Sequence, residues 1–500
     1  MNIRIALTIC ALACLASSVA NAQSYTEEAL MVSRTRAGGT ARMQAMGGVQ
    51  VALGGDISSA LSNPAGLGMY NRSEVSLTPG LVFSNYSSTY LGNTNTSTVN
   101  TPIIANLGVA FHADQDGRKG LWGGTLGISF NRINDFNSTF SYSGTNPDNS
   151  IIDYFVVDAD KYGDVSQFNS SGYQYNRPTG LAYYNYLISP QDVLVPPGPS
   201  DKYFTVVNGI PKQSETVKNT GGQNQWSISY GVNFNDRIFL GAGLGIVTMK
   251  FGSDKMYSEK FSESGHVMSE MQLRESLALN GTGINATVGA IFRPITPLQL
   301  GISFTTPTAM EIEESYSAYM SSAWDSVQYS NGKSFTDAYT DNVTSTYSLS
   351  SPWKIATGMA FFFEKHGFIS ADVEWLNYGK TRYSGDWDWS ADNAIINSSY
   401  QSVFNLRFGG EYRWNNFRFR AGYNFMPTPY QTGQSDVNHE IVSVSGGVGY
   451  RTAKFYVDLA VIETRGDNSY RPYQLYYPKD PLVKQTLRST QVMITVGLPF

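Results

Sequence analysis

The sequence predicts an all-β protein: a 14-stranded antiparallel transmembrane β-barrel with a small N-terminal hatch, or plug, in its lumen. Three observations predict it: a sustained period of two in hydrophobicity, connections that alternate between short and long, and an export signal on a chain without an apolar helix. Of the 500 residues 15% are charged and 41% hydrophobic, with 48 Gly and 32 Tyr. A formal charge of −5 lacks the basic excess of a nucleic-acid binder, and the aromatic content excludes a disordered chain. No run of ~18 apolar residues follows residue 22, which excludes helical membrane spans.

Residues 1–22 read as a signal peptide. Arg4 supplies the positive start, Ile5 to Leu15 the apolar run, and Ala20-Asn21-Ala22 the small-residue cleavage site before Gln23. Both cysteines, Cys10 and Cys14, lie inside it. The mature chain therefore has no disulfide, no thiolate metal site and no cysteine nucleophile.

The wall is expected over 73–500. In Phe404, Leu406, Phe408, Tyr412 and Trp414 one face is apolar, while Asn405, Arg407, Glu411 and Arg413 fall on the other. The next segment repeats this, with Phe417, Phe419, Ala421, Tyr423 and Phe425 against Arg418, Arg420, Gly422 and Asn424. Successive side chains of a strand point to opposite faces, so this is the β period. Fourteen segments show it: 74–86, 103–114, 120–140, 224–235, 237–253, 277–293, 298–315, 346–363, 367–384, 401–414, 417–428, 439–451, 454–465 and 487–500. Six connections are short: Asp116-Gly117, Asn235-Asp236, Pro294 to Pro297, Lys365-His366-Gly367, Asn415-Asn416 and Thr452-Ala453. The other seven are long and polar, the largest over 141–223, and long strictly alternates with short. An even-stranded bacterial barrel has short periplasmic turns, long extracellular loops, and strands that are apolar outside and polar inside. Closure leaves no edge unpaired in lipid. Aromatic residues near segment ends, such as Trp353, Trp375, Trp414 and Tyr450, suit the interfacial girdles.

Asp372, Glu374, Arg407, Glu411, Arg413, Arg418, Arg420 and Asp458 fall on the polar faces. A lipid-facing Arg costs ~2–4 kcal/mol at mid-bilayer, so these are expected to line the lumen as a network of opposite charges. Phe500 ends an alternating run and reads as the signal taken up by the barrel-assembly machinery. A complete lipid-facing surface needs only outer-membrane lipids around it, and a monomer is expected in the bacterial outer membrane.

Residues 23–72 lack the alternation and are rich in Gly and Ala, which permit tight turns and close backbone approach. Ala41 to Ala45 and Ile57 to Leu61 are candidate short helices, with Asp56 or Ser58 as caps. Gly241, Gly243 and Gly245 fall on the inward face of one strand, thinning the wall as a plug requires. Gly38-Gly39-Thr40-Ala41, Met46-Gly47-Gly48, Ala52-Leu53, Asp56 and Ser62-Asn63-Pro64-Ala65 together resemble the hatch motif of the long-chain fatty acid transporter family, outer-membrane proteins of the FadL/TodX type. The hatch residues carried over are Gly47, Gly48, Asp56, Asn63, Pro64 and Ala65. The resemblance covers essentially the whole mature chain and implies passive uptake of hydrophobic molecules: capture by loops, passage to an apolar pocket, then lateral exit after a hatch rearrangement.

Apolar capture sites are sought in the loops. Tyr316, Tyr319, Met320 and Trp324 are spaced for one helical face, and Val267, Met268 and Met271 for another; aromatic and Met stripes suit adaptable binding, although each stripe alone fits local loop packing slightly better. Tyr173, Tyr175, Tyr183, Tyr184 and Tyr186 suggest a lid, or a surface that sheds its neighbours. Gly123-Gly124 and Pro79-Gly80 are candidates for the family's wall kink. No residue matches the family's basic carboxylate-binding position.

Other motifs are set aside. Gly241-Ala242-Gly243-Leu244-Gly245 opens no helix and fails as a nucleotide fingerprint. His112, His266, His366 and His439 lack ligand spacing, so no metal or cofactor is expected. Asp386-Trp387-Asp388-Trp389 reads as a strand continuing above the membrane. No nucleophile–base–acid set stands out, and an enzyme is not expected. Two alternatives to small-molecule uptake stay open: a protein-cargo shuttle of type IX secretion, and a hemin or porphyrin receptor using His266 or His439.

Overall fold

The computed structural model describes residues 19–114, 120–162, 165–168, 176–191, 202–261, 268–324, 335–475 and 480–500. Fourteen wall strands close into an antiparallel barrel. In chain order they are β1 (Glu74–Tyr90), β2 (Asn93–Asp114), β3 (Leu121–Asp135, resumed at Ser138–Thr145), β4 (Pro211–Phe234), β5 (Ile238–Phe261) and β6 (Met268–Ile295). Then come β7 (Leu298–Thr305, resumed at Ala309–Trp324), β8 (Val343–Ser350, resumed at Lys354–Phe363), β9 (Gly367–Asn377) and β10 (Ser402–Trp414). The last four are β11 (Phe417–Met426), β12 (Ile441–Arg451), β13 (Tyr456–Tyr470) and β14 (Val483–Pro499). β14 pairs back onto β1, from Glu74↔Pro499 to Thr89↔Lys484, and closes the cylinder.

The outer surface is an apolar belt. Leu77, Phe83, Phe111, Leu244, Ile284, Ile302, Met359, Phe404, Phe408, Val444 and Val496 are all exposed there. Water penalises such a continuous band, whereas lipid does not. Aromatic rings border it: Trp353 and Trp375 lie 4.7 Å apart at the upper margin, and Phe417 and Tyr450 5.3 Å apart at the lower. The barrel is of the outer-membrane type.

The short turns follow from their residues. Asn235 and Asp236 both take φ of 54°, and Asn415 takes 52°, left-handed values that Asn and Asp accept in two-residue hairpins. Asp116-Gly117 lies outside the described residues. The long connections are shorter than the sequence suggested. β1 and β2 run on above the belt as a ladder and meet at the tight Leu91-Gly92 turn, so 87–102 is not a loop. Likewise β3 and β4 pair at Ser138–Thr145 and reach back to Pro211, within the expected loop 141–223. Beyond the belt both strand faces meet water or polar neighbours, so residues such as Asn93 to Asn100 carry no alternation to read.

Inside the barrel residues 19–70 form the plug. Helix α1 (Val19–Ser33) contains the expected processing site in its first turn. Short α2 (Ala41–Gln44) and α3 (Ser59–Ser62) follow, then a 3-10 turn over Pro64–Met69. Outside the membrane, helices α4 (Ile151–Tyr162) and α5 (Pro178–Tyr184) pack over β5–β7, and α6 (Ser390–Ser399) packs on α1. Asp386 to Trp389 form no strand. They lead into α6, because Trp389 turns inward to stack on Tyr383 at 4.9 Å.

Candidate functional site: the plugged lumen and a break in its wall

The plug is seated by backbone contact. Asn63 is fully buried; its Nδ2 donates to Val51 O at 2.7 Å and its Oδ1 accepts from Ala65 N at 3.2 Å. That fixes the loop carrying Pro64, whose restricted φ starts the 3-10 turn. Ala65 packs against Phe239 and Ile291 of the wall. Wall glycines receive it: a Cβ on Gly231 or Gly241 would strike Pro64, one on Gly289 would strike Asn63, and one on Gly301 would strike Val51. Gly409 and Gly422 make the same room for Met46. Of the three β5 glycines singled out above, only Gly241 touches the plug; Gly243 and Gly245 face wall side chains, Ser229 and Gln225. Gly47 and Gly48 take φ of 71° and 79°, and Gly47 N donates to Ser445 Oγ at 3.0 Å. Asp56 accepts from Thr40 Oγ1 at 2.9 Å and from Ser58 N at 3.0 Å, tying the two halves of the plug together.

The charges on the polar faces sit around this plug. Glu411 receives Arg413 and Arg420, each at 2.8 Å, with plug residue Arg42 at 3.6 Å. Arg420 and Arg451 both reach Asp458, at 2.6 and 3.3 Å. Asp372 accepts the plug N–H groups of Gln50 and Val51 at 2.6 and 3.0 Å, and Arg407 pairs with Glu374 at 3.0 Å. Arg418 stands apart at the rim, donating to the Asn415 and Phe417 carbonyls. Each buried charge of this set thus has a counter-charge or peptide donor, as a low-dielectric site demands.

The wall has one irregularity that the sequence reading misplaced. Gly123-Gly124 stays in register with β2, Gly123 opposite Asp114, and on the β4 side carries only a local bulge between Leu121 and Gly123. Pro79 makes only a local bulge between β1 and β2. The break lies higher: the β2–β3 ladder stops at Asn106↔Asn131, and the upper part of β3 pairs with β4 alone. Residues 93–105 of β2 thus have no ladder partner on that side among the described residues. Register slips between Arg132 and Asn134, opposite Asn224 and Gln223; Asp135 then faces Gly222, beside Gly221 at φ 110°. Asn106 Nδ2 bonds Asn131 Oδ1 at 2.8 Å below the break, and the Tyr90 and Tyr142 rings, 4.8 Å apart, bridge it above. The plug is tied to this bend: Arg36 N donates to Ile133 O at 2.9 Å, and Asn134 Nδ2 to Met31 O at 3.2 Å. The sequence holds a signal there, the Asn-rich run Asn131 to Asn137 and the pair Gly221-Gly222, but the first continues a strand's alternation and the second sits in a polar stretch without it.

The loop residues do not form helical faces. Tyr316, Tyr319, Met320 and Trp324 belong to β7, where period two separates them. Met320 and Trp324 are buried inward, whereas Tyr319 points outward, its ring 6.0 Å from the Arg274 guanidinium. A bulge that pairs Trp324 with Met268 and Ala323 with Glu270 brings both Met268 and Met271 inward. These residues pack with Ile151, Phe155, Phe168 and Leu181 in a filled apolar cluster, and Tyr316 lies against it, its hydroxyl on Glu275 at 2.6 Å. Val267, Tyr173, Tyr175 and His266 lie outside the described residues. His439 is buried beneath Tyr430, with Nε2 bonded to Ser435 at 2.6 Å.

A plugged outer-membrane barrel with a bend in its third strand is the class these features define. No family model and no curated protein matches the sequence. Among solved structures, the chain shares its fold with a FadL homologue of Pseudomonas aeruginosa, at 12% identity and TM-score 0.56, over 93% of this chain and 98% of that one. It likewise shares the fold of the toluene transporter TodX of Pseudomonas putida, at 14% identity and TM-score 0.51, over 93% and 99%.

Proposed function

We propose that the protein is an outer-membrane channel for passive uptake of hydrophobic small molecules, long-chain fatty acids among them. The observation that carries this reading is the coincidence of a plugged lumen with an unpaired stretch of wall that the plug itself holds. Molecules caught outside enter the lumen, the plug shifts off Ile133 and Asn134, and the ligand leaves sideways between β2 and β3. The path needs no energy source, because each methylene removed from water gains ~0.8 kcal/mol. The hatch residues 23–72 act as the gate, and the apolar cluster around Met268, Met271, Met320 and Trp324 supports the outer mouth.

The test uses the absence of cysteine from the mature chain. Cysteines replacing Ile103 and Ile133, which line the lumen side of the break, are bridged with a reducible bis-thiosulfonate. Uptake of labelled dodecanoate and toluene by cells carrying the bridged barrel is expected to fall to background and to return on reduction. Undiminished uptake through the bridged barrel would refute the lateral route. An organic extract of the purified barrel, analysed by mass spectrometry against a variant lacking residues 23–50, identifies the carried class. Bulk phospholipid alone in both would shift the assignment towards protein cargo.

A further inference from the structure

Two cavities flank the plug segment Arg36-Ala37-Gly38, which lines both. The first, about 110 Å³, lies between the plug and β4, β6–β10; the second, about 100 Å³, lies behind the wall break against β1–β3 and β11–β14. Their charges do not balance. In the first, Lys354 and Arg407 stand against Asp372 and Glu374, with Arg407 on Glu374 and Lys354 Nζ 2.6 Å from Thr35 Oγ1. In the second, Arg132 pairs with Asp135 at 2.8 Å. Arg36 remains over in each. Its backbone is held by Ile133, but its guanidinium makes no hydrogen bond or ion pair among the described residues, and the side chain is exposed inside the barrel.

A cation without a counter-charge, in a lumen walled by low-dielectric protein and lipid, attracts an anion more strongly than the same charge on a surface. The planar guanidinium fork fits a carboxylate through two parallel hydrogen bonds. Beyond it the second cavity offers Val82, Ile103, Ile462 and Met493 to an aliphatic tail.

We infer that Arg36 is a specificity-determining residue, holding the carboxylate of an apolar-chain monocarboxylate as it passes from the first cavity to the second. The inference rests on the uptake reading and adds a charge requirement to it. A neutral hydrocarbon gives Arg36 nothing to engage.

The test compares dodecanoate with 1-dodecanol, probes with the same chain and different heads, binding to the purified barrel in nanodiscs by equilibrium dialysis. The wild type is expected to prefer dodecanoate by at least ~10-fold at low salt, the range of a charge-assisted pair. Arg36→Gln is expected to erase the preference while leaving 1-dodecanol binding unchanged, and Arg36→Lys to retain part of it. Raising the salt to about 0.5 M should weaken only dodecanoate, by screening. Heat-modifiable mobility on gels confirms that each variant is a folded barrel. Equal binding of both probes by the wild type, or an undiminished preference in Arg36→Gln, overturns the inference and leaves hydrophobic uptake standing. Binding of neither probe removes the uptake reading itself.

Discussion

Replacing Asn63 by Asp changes one buried amide into a carboxyl of nearly the same volume. Asn63 Nδ2 donates to Val51 O at 2.7 Å, with Ala290 O and Ile302 O farther off at 3.4 and 3.3 Å. An ionised carboxylate has no proton to offer, so Val51 O loses its donor and faces an anion. The acceptor role toward Ala65 N survives. A lost hydrogen bond contributes ~1 kcal/mol and the stranded carbonyl a further ~1–3 kcal/mol, so docking of the plug should weaken by about 3 kcal/mol. That is a factor of about 150 in the local opening constant. Amide hydrogen exchange reads it directly: protection over 49–69 should drop by about two decades while the β10–β13 amides hold theirs, because the plug opens as its own unit. Lowering the pH should restore protection, since the carboxyl introduced by Asn63→Asp regains a donor when it is protonated. Unchanged protection at neutral pH would refute the claim that this side chain seats the plug. Equal loss across the wall would show plug and barrel to be a single cooperative unit.

The other predictions concern different contacts. Gly241→Val places a side chain where Pro64 lies; the barrel should still insert, but planar-bilayer recordings should show larger conductance than the wild type. Glu411→Gln leaves Arg42, Arg413 and Arg420 without their shared carboxylate and should lower unfolding stability in urea by ~3–5 kcal/mol. Adding Arg42→Met should recover part of that loss, and strict additivity would deny the coupling between plug and wall. Acidity should tighten α1. The Tyr347 hydroxyl lies 2.9 and 3.0 Å from the two oxygens of Glu28 and 2.9 Å from Glu314, and one hydroxyl hydrogen serves only one carboxylate. Burial, reinforced by Glu314, raises the Glu28 carboxyl to about 8 from 4.5. The docked state therefore binds more protons than the free one between these values, and docking weakens as pH rises through that window. Hydrogen exchange of residues 25–33, corrected for intrinsic rates, should follow this trend, and Glu28→Gln should abolish it.

The wall was legible because lipid enforces alternation: Phe404 to Trp414 must present one apolar face, and the sequence shows it. The same rule is silent above the belt, where Asn93 to Asn100 or Thr216 to Thr220 owe nothing to lipid, so strands there passed for loops. The lumen charges were legible by exclusion, since Arg420 and Asp458 cannot face hydrocarbon; their partners Arg42 and Arg451 needed coordinates. The grouping of Tyr316 to Trp324 failed because a spacing of three and four was read as a helix where a strand with a bulge fits the same residues. The wall break was hidden for a related reason. Asn131 to Asn137 alternates well enough to continue a strand, and only the pairing pattern of its neighbours shows that one side is missing.

Thr495 carries a consequence for how the molecule is made. Its hydroxyl lies 2.8 Å from Thr78 on the first strand and 2.8 Å from the N–H of Ala41. Zipping the final strand onto the first and settling the N-terminal segment therefore meet at one oxygen atom. The plug is thus bound at the seam between the final strand and the first, so the cylinder closes around it. A barrel that sealed empty would have to reopen that seam, or thread the whole N-terminal segment through a finished mouth, to reach the same state.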